Sequence, residues 1–295
     1  MGNRQMLIVG LGLIGGSMAM ALKDFEGFER VGGVRSRATA DKAMAKGAAD
    51  RITFDPAAEL PHSDLVILCQ DPDGIISFLR DNRERFKPGS LVIDVGGVKT
   101  AIMEAASCLP PSVDFIGCHP MAGKEVSGID NAEAGLFRNT HFIITPGPNS
   151  TPEHIALLER LARHCRFRDV VSTTAQHHDA TIAYTSQLMH VIALSVCDSP
   201  NLFACQGYEG GSFRDCTRVA ALDVALWRQL FTLNAPALTQ VVRQLEDRLR
   251  AYREAMETGD VDGLTAMLQY SSDRKRQLFI EASRGDDVHG GDATF

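Results

Sequence analysis

The chain has 295 residues, enough for two domains that each bury a core, and its 44% hydrophobic and 23% charged content is ordinary for a soluble globular protein. A formal charge of -7 argues against nucleic acid as a partner, because phosphates demand a basic surface, and it leaves any anionic ligand to be captured by local cations. Seven cysteines without a CxxC pair and no signal peptide lead to the expectation of reduced thiols in a cytoplasmic protein. Apolar runs broken by Asp, Gly or Pro short of the roughly 20 residues of a membrane span give no expected transmembrane segment.

Met6–Gly10 reads as a short apolar strand, followed by Leu11-Gly12-Leu13-Ile14-Gly15-Gly16-Ser17 and a helical run to Leu22. Gly10, Gly12 and Gly15 fit G-x-G-x-x-G with a strand before and a helix after. The glycines permit a tight turn, close approach of a pyrophosphate and close helix–strand packing, and the helix start at Leu13 and Ile14 supplies amide donors. Further strands are expected at Val31–Arg35, Leu65–Cys69, Leu91–Val95, Val113–Cys118, His141–Pro146 and Phe167–Val171, with helical segments between, including Pro152–His164. Strands alternating with helices imply a parallel, doubly wound sheet, an α/β Rossmann-type domain over residues 1–172.

The tip of the second strand bears on the dinucleotide. A carboxylate there would hold the ribose 2′-hydroxyl of NAD, and an arginine would accommodate the 2′-phosphate of NADP. The chain has Arg35-Ser36-Arg37 and no carboxylate. Besides a solvated basic loop, this is a 2′-phosphate site, which favours NADP, with NAD possible.

His119 stands where the Val113–Cys118 strand runs out, in His119-Pro-Met-Ala-Gly-Lys-Glu-Val-Ser-Gly128. Ligands of open α/β sheets bind beyond the carboxyl ends of the strands, so an imidazole there is placed for acid or base work; a loop histidine satisfied by backbone is the alternative.

After Ser172 the pattern is helical, and residues 173–284 are expected to form an all-α dimerisation domain. Thr174–Asp198 is one long, mostly apolar helical pattern, followed by Pro236–Thr258 and Val261–Ser283. Such apolar helices bury their surface in a homodimer; residues 285–295 are polar, glycine-rich and expected to be disordered. Ser186 and His190 lie one turn apart, with Asp179 on roughly the same stripe. They are either core residues or ligand contacts. Gly210–Arg218 is a glycine turn and a charged helix start, in which Arg214 and Arg218 flank Asp215. This is either a surface ion-pair cluster or a guanidinium site for a carboxylate. His177 and His178 are adjacent, so they point to different sides of a helix, and no metal site is expected.

With these segments assembled, the chain resembles the prephenate/arogenate dehydrogenase family of tyrosine biosynthesis. The likeness rests on GLGLIGGS at 10–17, DVGGVK at 94–99, HPMAGKEVSG at 119–128, HHD at 177–179, SQLMH at 186–190 and FRDCTR at 213–218. It implies a Rossmann domain, a helical dimerisation domain and oxidative decarboxylation of prephenate or arogenate with hydride transfer to NADP or NAD. By resemblance, His119 takes the substrate's hydroxyl proton, Arg218 grips a carboxylate, Ser186 and His190 are its partners at the substrate, and Glu125 is an acid near the entrance. Asp215, one turn before Arg218, would pair with the ammonium of arogenate.

The family pattern reads D-V-x-S-x-K, with the serine hydroxyl bonded to the catalytic histidine beside the cofactor. This chain has Gly97 there. The hydrogen bond must be absent, water-mediated or supplied by a neighbour such as Thr100, and Gly97→Ser is expected to raise kcat. Two other readings stand beside this one, a Rossmann-plus-helical dehydrogenase of the β-hydroxyacid type and a non-catalytic NADP(H) sensor.

Overall fold

Eight strands form one sheet in the computed structural model, which describes residues 4–289. They are β1 (Gln5–Val9), β2 (Glu29–Gly33), β3 (Arg51–Thr53), β4 (Leu65–Leu68), β5 (Leu91–Asp94), β6 (Asp114–Pro120), β7 (His141–Pro146) and β8 (Asp169–Ser172), in the order β3-β2-β1-β4-β5-β6-β7-β8. Six helices accompany them: α1 (Leu13–Ala21), α2 (Arg37–Ala45), the single turn α3 (Pro56–Glu59), α4 (Pro72–Asp81), α5 (Thr100–Ala106) and α6 (Pro152–His164).

The central strands are near-continuous apolar runs because both faces are covered. Met6, Ile8, Ile67 and Ile93 pack on one side with Met18 of α1 and Leu158 of α6. Leu7, Val9, Val66, Leu68 and Val92 pack on the other with Ile75 and Leu79 of α4 and Ile102 of α5. Ser36, Asp55, Asp71 and Thr151 cap α2, α3, α4 and α6 by accepting hydrogen bonds from amides three residues on, which fixes where each helix starts.

One part of the sheet departs from the expected parallel order: β7 runs antiparallel to β6. The connection from β6 to β7 contains no crossover helix, only a loop with a short 3-10 turn at Ile129–Asn131. A strand entered from the edge at which its neighbour ends must run back against it. Helix α6 then returns the chain, and β8 pairs parallel to β7. The short edge strand β3 was not expected, because three residues are too few to show a period.

The chain forms two compact units, residues up to Leu238 and residues from Thr239. The first also holds α7 (Ala175–Ile182), a π turn at Ala183–Gln187, α8 (Leu188–Cys197), α9 (Gly211–Thr217) and α10 (Val224–Leu233). The expected uninterrupted helix over 174–198 is therefore α7 and α8 joined through a π turn. By length and composition Ala175–Cys197 is apolar enough to cross a membrane, although no transmembrane segment was expected from the sequence. Its polar side chains His178, Asp179 and Gln187 are nonetheless buried and hydrogen-bonded to other elements of this unit. Tyr184 and Met189 leave an exposed apolar face on the same run.

Helix α11 (Ala235–Thr258) leads into the second unit, where it is followed by α12 (Val261–His289). Gly259, at φ 69°, makes the turn between them, and Tyr252 and Ser271 meet at 3.4 Å. α12 continues past Gly285, where the tail was expected to begin; residues 290–295 lie outside the described residues.

A buried amide bridge ties the π turn to the end of α10. Asn234 Nδ2 donates to Gln187 Oε1 at 2.8 Å and to the Asp179 carbonyl at 2.9 Å, and Gln187 Nε2 donates to the Leu230 carbonyl at 3.3 Å. Asn234→Ala leaves two buried acceptors short of a donor and is expected to destabilise the fold by about 1–3 kcal/mol in urea unfolding; an unchanged midpoint would contradict this account.

Candidate active site

At the carboxyl end of β1 the chain turns through Gly10, at φ 95°. Its amide donates to the Gly33 carbonyl at 2.9 Å, and a Cβ there would lie 3.0 Å from the Cys69 carbonyl oxygen. A Cβ on Gly15 would overlap the Gly10 carbonyl oxygen, so only glycine lets α1 approach β1 this closely. Around Gly12 there is open space, with nothing within 4 Å of a built Cβ. No side chain caps α1, so the first-turn amides at Leu13 and Ile14 are left for a ligand. Open space in front of uncapped helix amides suits a dinucleotide pyrophosphate.

At the tip of β2 the three expected 2′-phosphate groups differ. Ser36 is occupied as the α2 cap, its Oγ accepting from the Thr39 amide at 3.2 Å and lying 2.9 Å from the Thr39 hydroxyl. Arg37 pairs with Asp41 at 3.0 Å. Arg35 is exposed and has no ion pair among the described residues.

His119 lies within β6 rather than beyond it, opposite Ile143 of β7. Its Nδ1 is 2.9 Å from His178 Nε2, and His178 Nδ1 is 2.8 Å from Asp179 Oδ1. Asp179 also accepts the amides of Lys99 and Thr100, each at 2.8 Å, and so holds the start of α5. A carboxylate only accepts, so with His178 neutral the tautomers follow down the line. His178 donates from Nδ1 and accepts at Nε2, His119 donates from Nδ1, and the lone pair of His119 Nε2 is left to take a proton.

The electrostatics agree. Burial, with the neighbouring His178 and Lys99, holds the His119 pKa well below the ordinary 6.5, so its ring is neutral at pH 7. For Asp179, burial alone would raise the pKa. The hydrogen bonds from His178, Thr100 and Lys99 outweigh it and keep the carboxyl below its usual range.

Beneath this relay, the buried Lys99 ammonium pairs with the buried Asp94 carboxylate. Asp94 also accepts the amides of Gly96 at 2.8 Å and Cys118 at 3.2 Å, which clamps the 94–99 turn onto β6 beside His119. Gly117 makes room, since a Cβ there would come 2.9 Å from Lys99 Cδ.

Gly97 faces Leu230 of α10; a Cβ at 97 would sit 3.1 Å from Leu230 Cδ2. The expectation for this position changes accordingly. The Nδ1 of His119 already has a partner, which is His178 and not Thr100, whose amide is spent on Asp179. A serine at 97 must also displace a packed leucine methyl.

On the helical side, His190 Nδ1 donates to the Ser186 carbonyl at 3.0 Å, leaving Nε2 for a ligand, and burial keeps its pKa below 6.5. Its ring stacks on Trp227 with centroids 3.5 Å apart. Ser186 itself is half-buried. Arg218 is ion-paired with Glu125, which joins the loop after β6 to the end of α9, and both side chains are partly exposed. Asp215 is exposed, with no side-chain partner among the described residues.

The structure thus links Glu125 to Arg218 and Ser186 to His190, and leaves Asp215 apart. Sequence reasoning missed His178, Asp179 as its partner, and Trp227. His177 and His178 do diverge, exposed and buried respectively, but the divergence was weighed only against a metal site. An acid directly after the inward-facing histidine was the available signal.

A family model described as the nucleotide-binding domain of prephenate dehydrogenase matches residues 18–171, and one described as its dimerisation domain matches 174–270. The chain belongs to the prephenate dehydrogenase family. It is 31% identical to a cyclohexadienyl dehydrogenase of Zymomonas mobilis, over 94% of this chain and 96% of that one. It is 29% identical to a prephenate dehydrogenase of Bacillus subtilis, over 84% and 70%. Among solved structures, it resembles the Synechocystis arogenate dehydrogenase at a TM-score of 0.79 and 28% identity, covering 93% of this chain and 99% of that one. It also resembles prephenate dehydrogenase from A. aeolicus in complex with hydroxyphenyl propionate and NAD+, at a TM-score of 0.83 and 25% identity, covering 94% and 99%. As in that family, the cofactor of this dehydrogenase is a nicotinamide dinucleotide.

In this family member, a base that must be neutral loses activity as pH falls through its pKa. The acid limb of kcat/KM is therefore expected below pH 6.5, and a limb centred at or above 6.5 would contradict the burial argument. His178→Ala is expected to lower kcat by about 10²-fold with little change in cofactor KM, as read by steady-state kinetics. Gly97→Ser is expected to give a kcat no higher than the parent's; a clear rise would show that His178 does not fill the serine's place.

Proposed function

We propose that the chain catalyses the oxidative decarboxylation of prephenate or arogenate to 4-hydroxyphenylpyruvate or tyrosine, with NADP preferred to NAD. The observation that carries this reading is the His119–His178–Asp179 relay at the end of β6, which leaves one neutral imidazole nitrogen as a base. A nicotinamide dinucleotide held at the Gly10–Gly15 turn would supply the acceptor for the hydride on the carbinol carbon of the substrate. His119 Nε2 takes the hydroxyl proton, and departure of the ring carboxylate as CO2 makes the ring aromatic. Asp179 stabilises the imidazolium that results, its carboxylate meeting the positive charge two links away, and His178 is the link that connects them.

Arg218 is the cation for a substrate carboxylate. In a protein of net charge -7 the attraction must be local, and the Glu125 partner is exchanged for the substrate. His190, with a free Nε2 and a ring fixed by Trp227, borders the substrate together with Ser186. Asp215 is the acid we assign to the ammonium of arogenate. Arg35, exposed at the tip of β2 and without an ion pair among the described residues, supports the 2′-phosphate. The division we propose is a nucleotide-binding domain over 1–172 and a helical domain over 173–284, the latter making a homodimer through its exposed apolar face. The Gly97 position, which gave a non-catalytic sensor its footing, loses that force once His119 has a different partner.

The test is reduction of NADP and NAD followed by absorbance, with prephenate and arogenate supplied separately. Turnover is expected with a higher kcat/KM for NADP, and Arg35→Ala is expected to weaken NADP about tenfold while leaving NAD unchanged. Cofactor binding without turnover of either substrate would overturn the assignment.

A further inference from the structure

Gln70 is not used by the site described above, yet it stands beside the Gly10 turn. It follows Cys69 just beyond β4, the first strand past β1 in the sheet. Alternation sends Ile67 and Cys69 to the α1 side of the sheet and Leu68 to the α4 side, so Gln70 continues on the α4 side. Two glycines bracket it. A Cβ on Gly10 would lie 3.4 Å from the Gln70 amide nitrogen, and one on Gly74, in the first turn of α4, would lie 3.2 Å from Gln70 Cβ. Within this bracket the side-chain oxygen Oε1 is buried and has no hydrogen-bond partner among the described residues. Buried acceptors in folded proteins are almost always satisfied, so an orphan beside a ligand crevice marks where a ligand donor belongs.

The chemistry of that donor follows from place and polarity. In a doubly wound sheet the dinucleotide lies across the point where strand order reverses, with one nucleoside over the β1–β3 half and the other over the half that begins at β4. Phosphate oxygens only accept and cannot satisfy an amide oxygen. The group next to the phosphate along the nicotinamide arm is the ribose, whose hydroxyls donate.

We propose that Gln70 Oε1 accepts a hydrogen bond from a hydroxyl of the nicotinamide-side ribose, which makes Gln70 a cofactor-positioning residue. This rests on the dinucleotide crevice and is independent of which substrate is oxidised. The contact fixes the sugar nearest the reacting ring and gives the buried Oε1 a donor.

The test uses Gln70→Met, which keeps the size of the side chain and removes the acceptor, and Gln70→Asn, which withdraws it by one methylene. Binding of NADP+ and NAD+, and of their adenylate halves adenosine 2′,5′-bisphosphate and ADP, is measured by titration calorimetry beside the Tm of the ligand-free proteins. Both variants are expected to bind the dinucleotides about tenfold more weakly and the adenylate halves unchanged, with the Tm of Gln70→Met equal to or above the parent's. Equal weakening of dinucleotides and adenylate halves, or of neither, overturns the proposal. A parent protein that binds neither dinucleotide overturns the crevice reading itself, and the proposal with it.

Discussion

The carboxylate of Asp179 is the point on which the candidate site is built. It receives the amides that open α5, orients His178, and through it fixes which nitrogen of His119 carries a proton. The carbonyl of the same residue anchors Asn234, at the end of α10. A buried carboxylate is costly unless hydrogen-bonded on both oxygens, and both oxygens here are engaged. The sheet edge, the start of one helix and the helical wall of the site thereby share one fixed point.

Around that point the charges are arranged so that the reacting groups stay neutral while their surroundings do not. His119 and His190 are both held below the ordinary imidazole range by burial. Lys99 is charged and buried but matched by Asp94, and its nearness helps keep His119 unprotonated. The exposed ion pair of Arg218 and Glu125 is the loose member of the set. Pairs of this kind contribute little to stability, which leaves Arg218 free to change partners.

Much of this was legible in the residues. The glycine turn announced itself because a strand, three spaced glycines and a helix occur in unbroken succession; Gly10 and Gly15 each have a steric reason in the fold, and Gly12 faces open space. The apolar strands β4 and β5 were visible because burial on both faces removes polar residues. The reversal of β7 was not, since strand direction depends on where the preceding loop delivers the chain, and local composition does not carry that. The relay was hidden for a related reason. His119 and His178 are far apart in sequence, and only packing of α7 against the end of β6 turns two separate histidines into a hydrogen-bonded pair. Gly97 illustrates the opposite case: of the three ways its missing hydroxyl could be met, a neighbour is the one the fold offers, but that neighbour is His178 and not Thr100, and Leu230 fills the space.

The π turn at Ala183–Gln187 gives the long helix one residue to spare. A π turn accommodates one residue more than a regular turn, and upstream of it His178 and Asp179 face the sheet while downstream His190 faces Trp227. Deleting a single residue there would give a regular turn and leave both halves facing as they do, whereas a deletion in the regular turns of α7 or early α8 would swing every side chain beyond it by about 100° around the axis. His190 would leave Trp227 although neither had been touched. The π turn is thus a place where the number of residues can fall by one without turning the two histidine-bearing halves against each other, which the regular turns on either side do not allow.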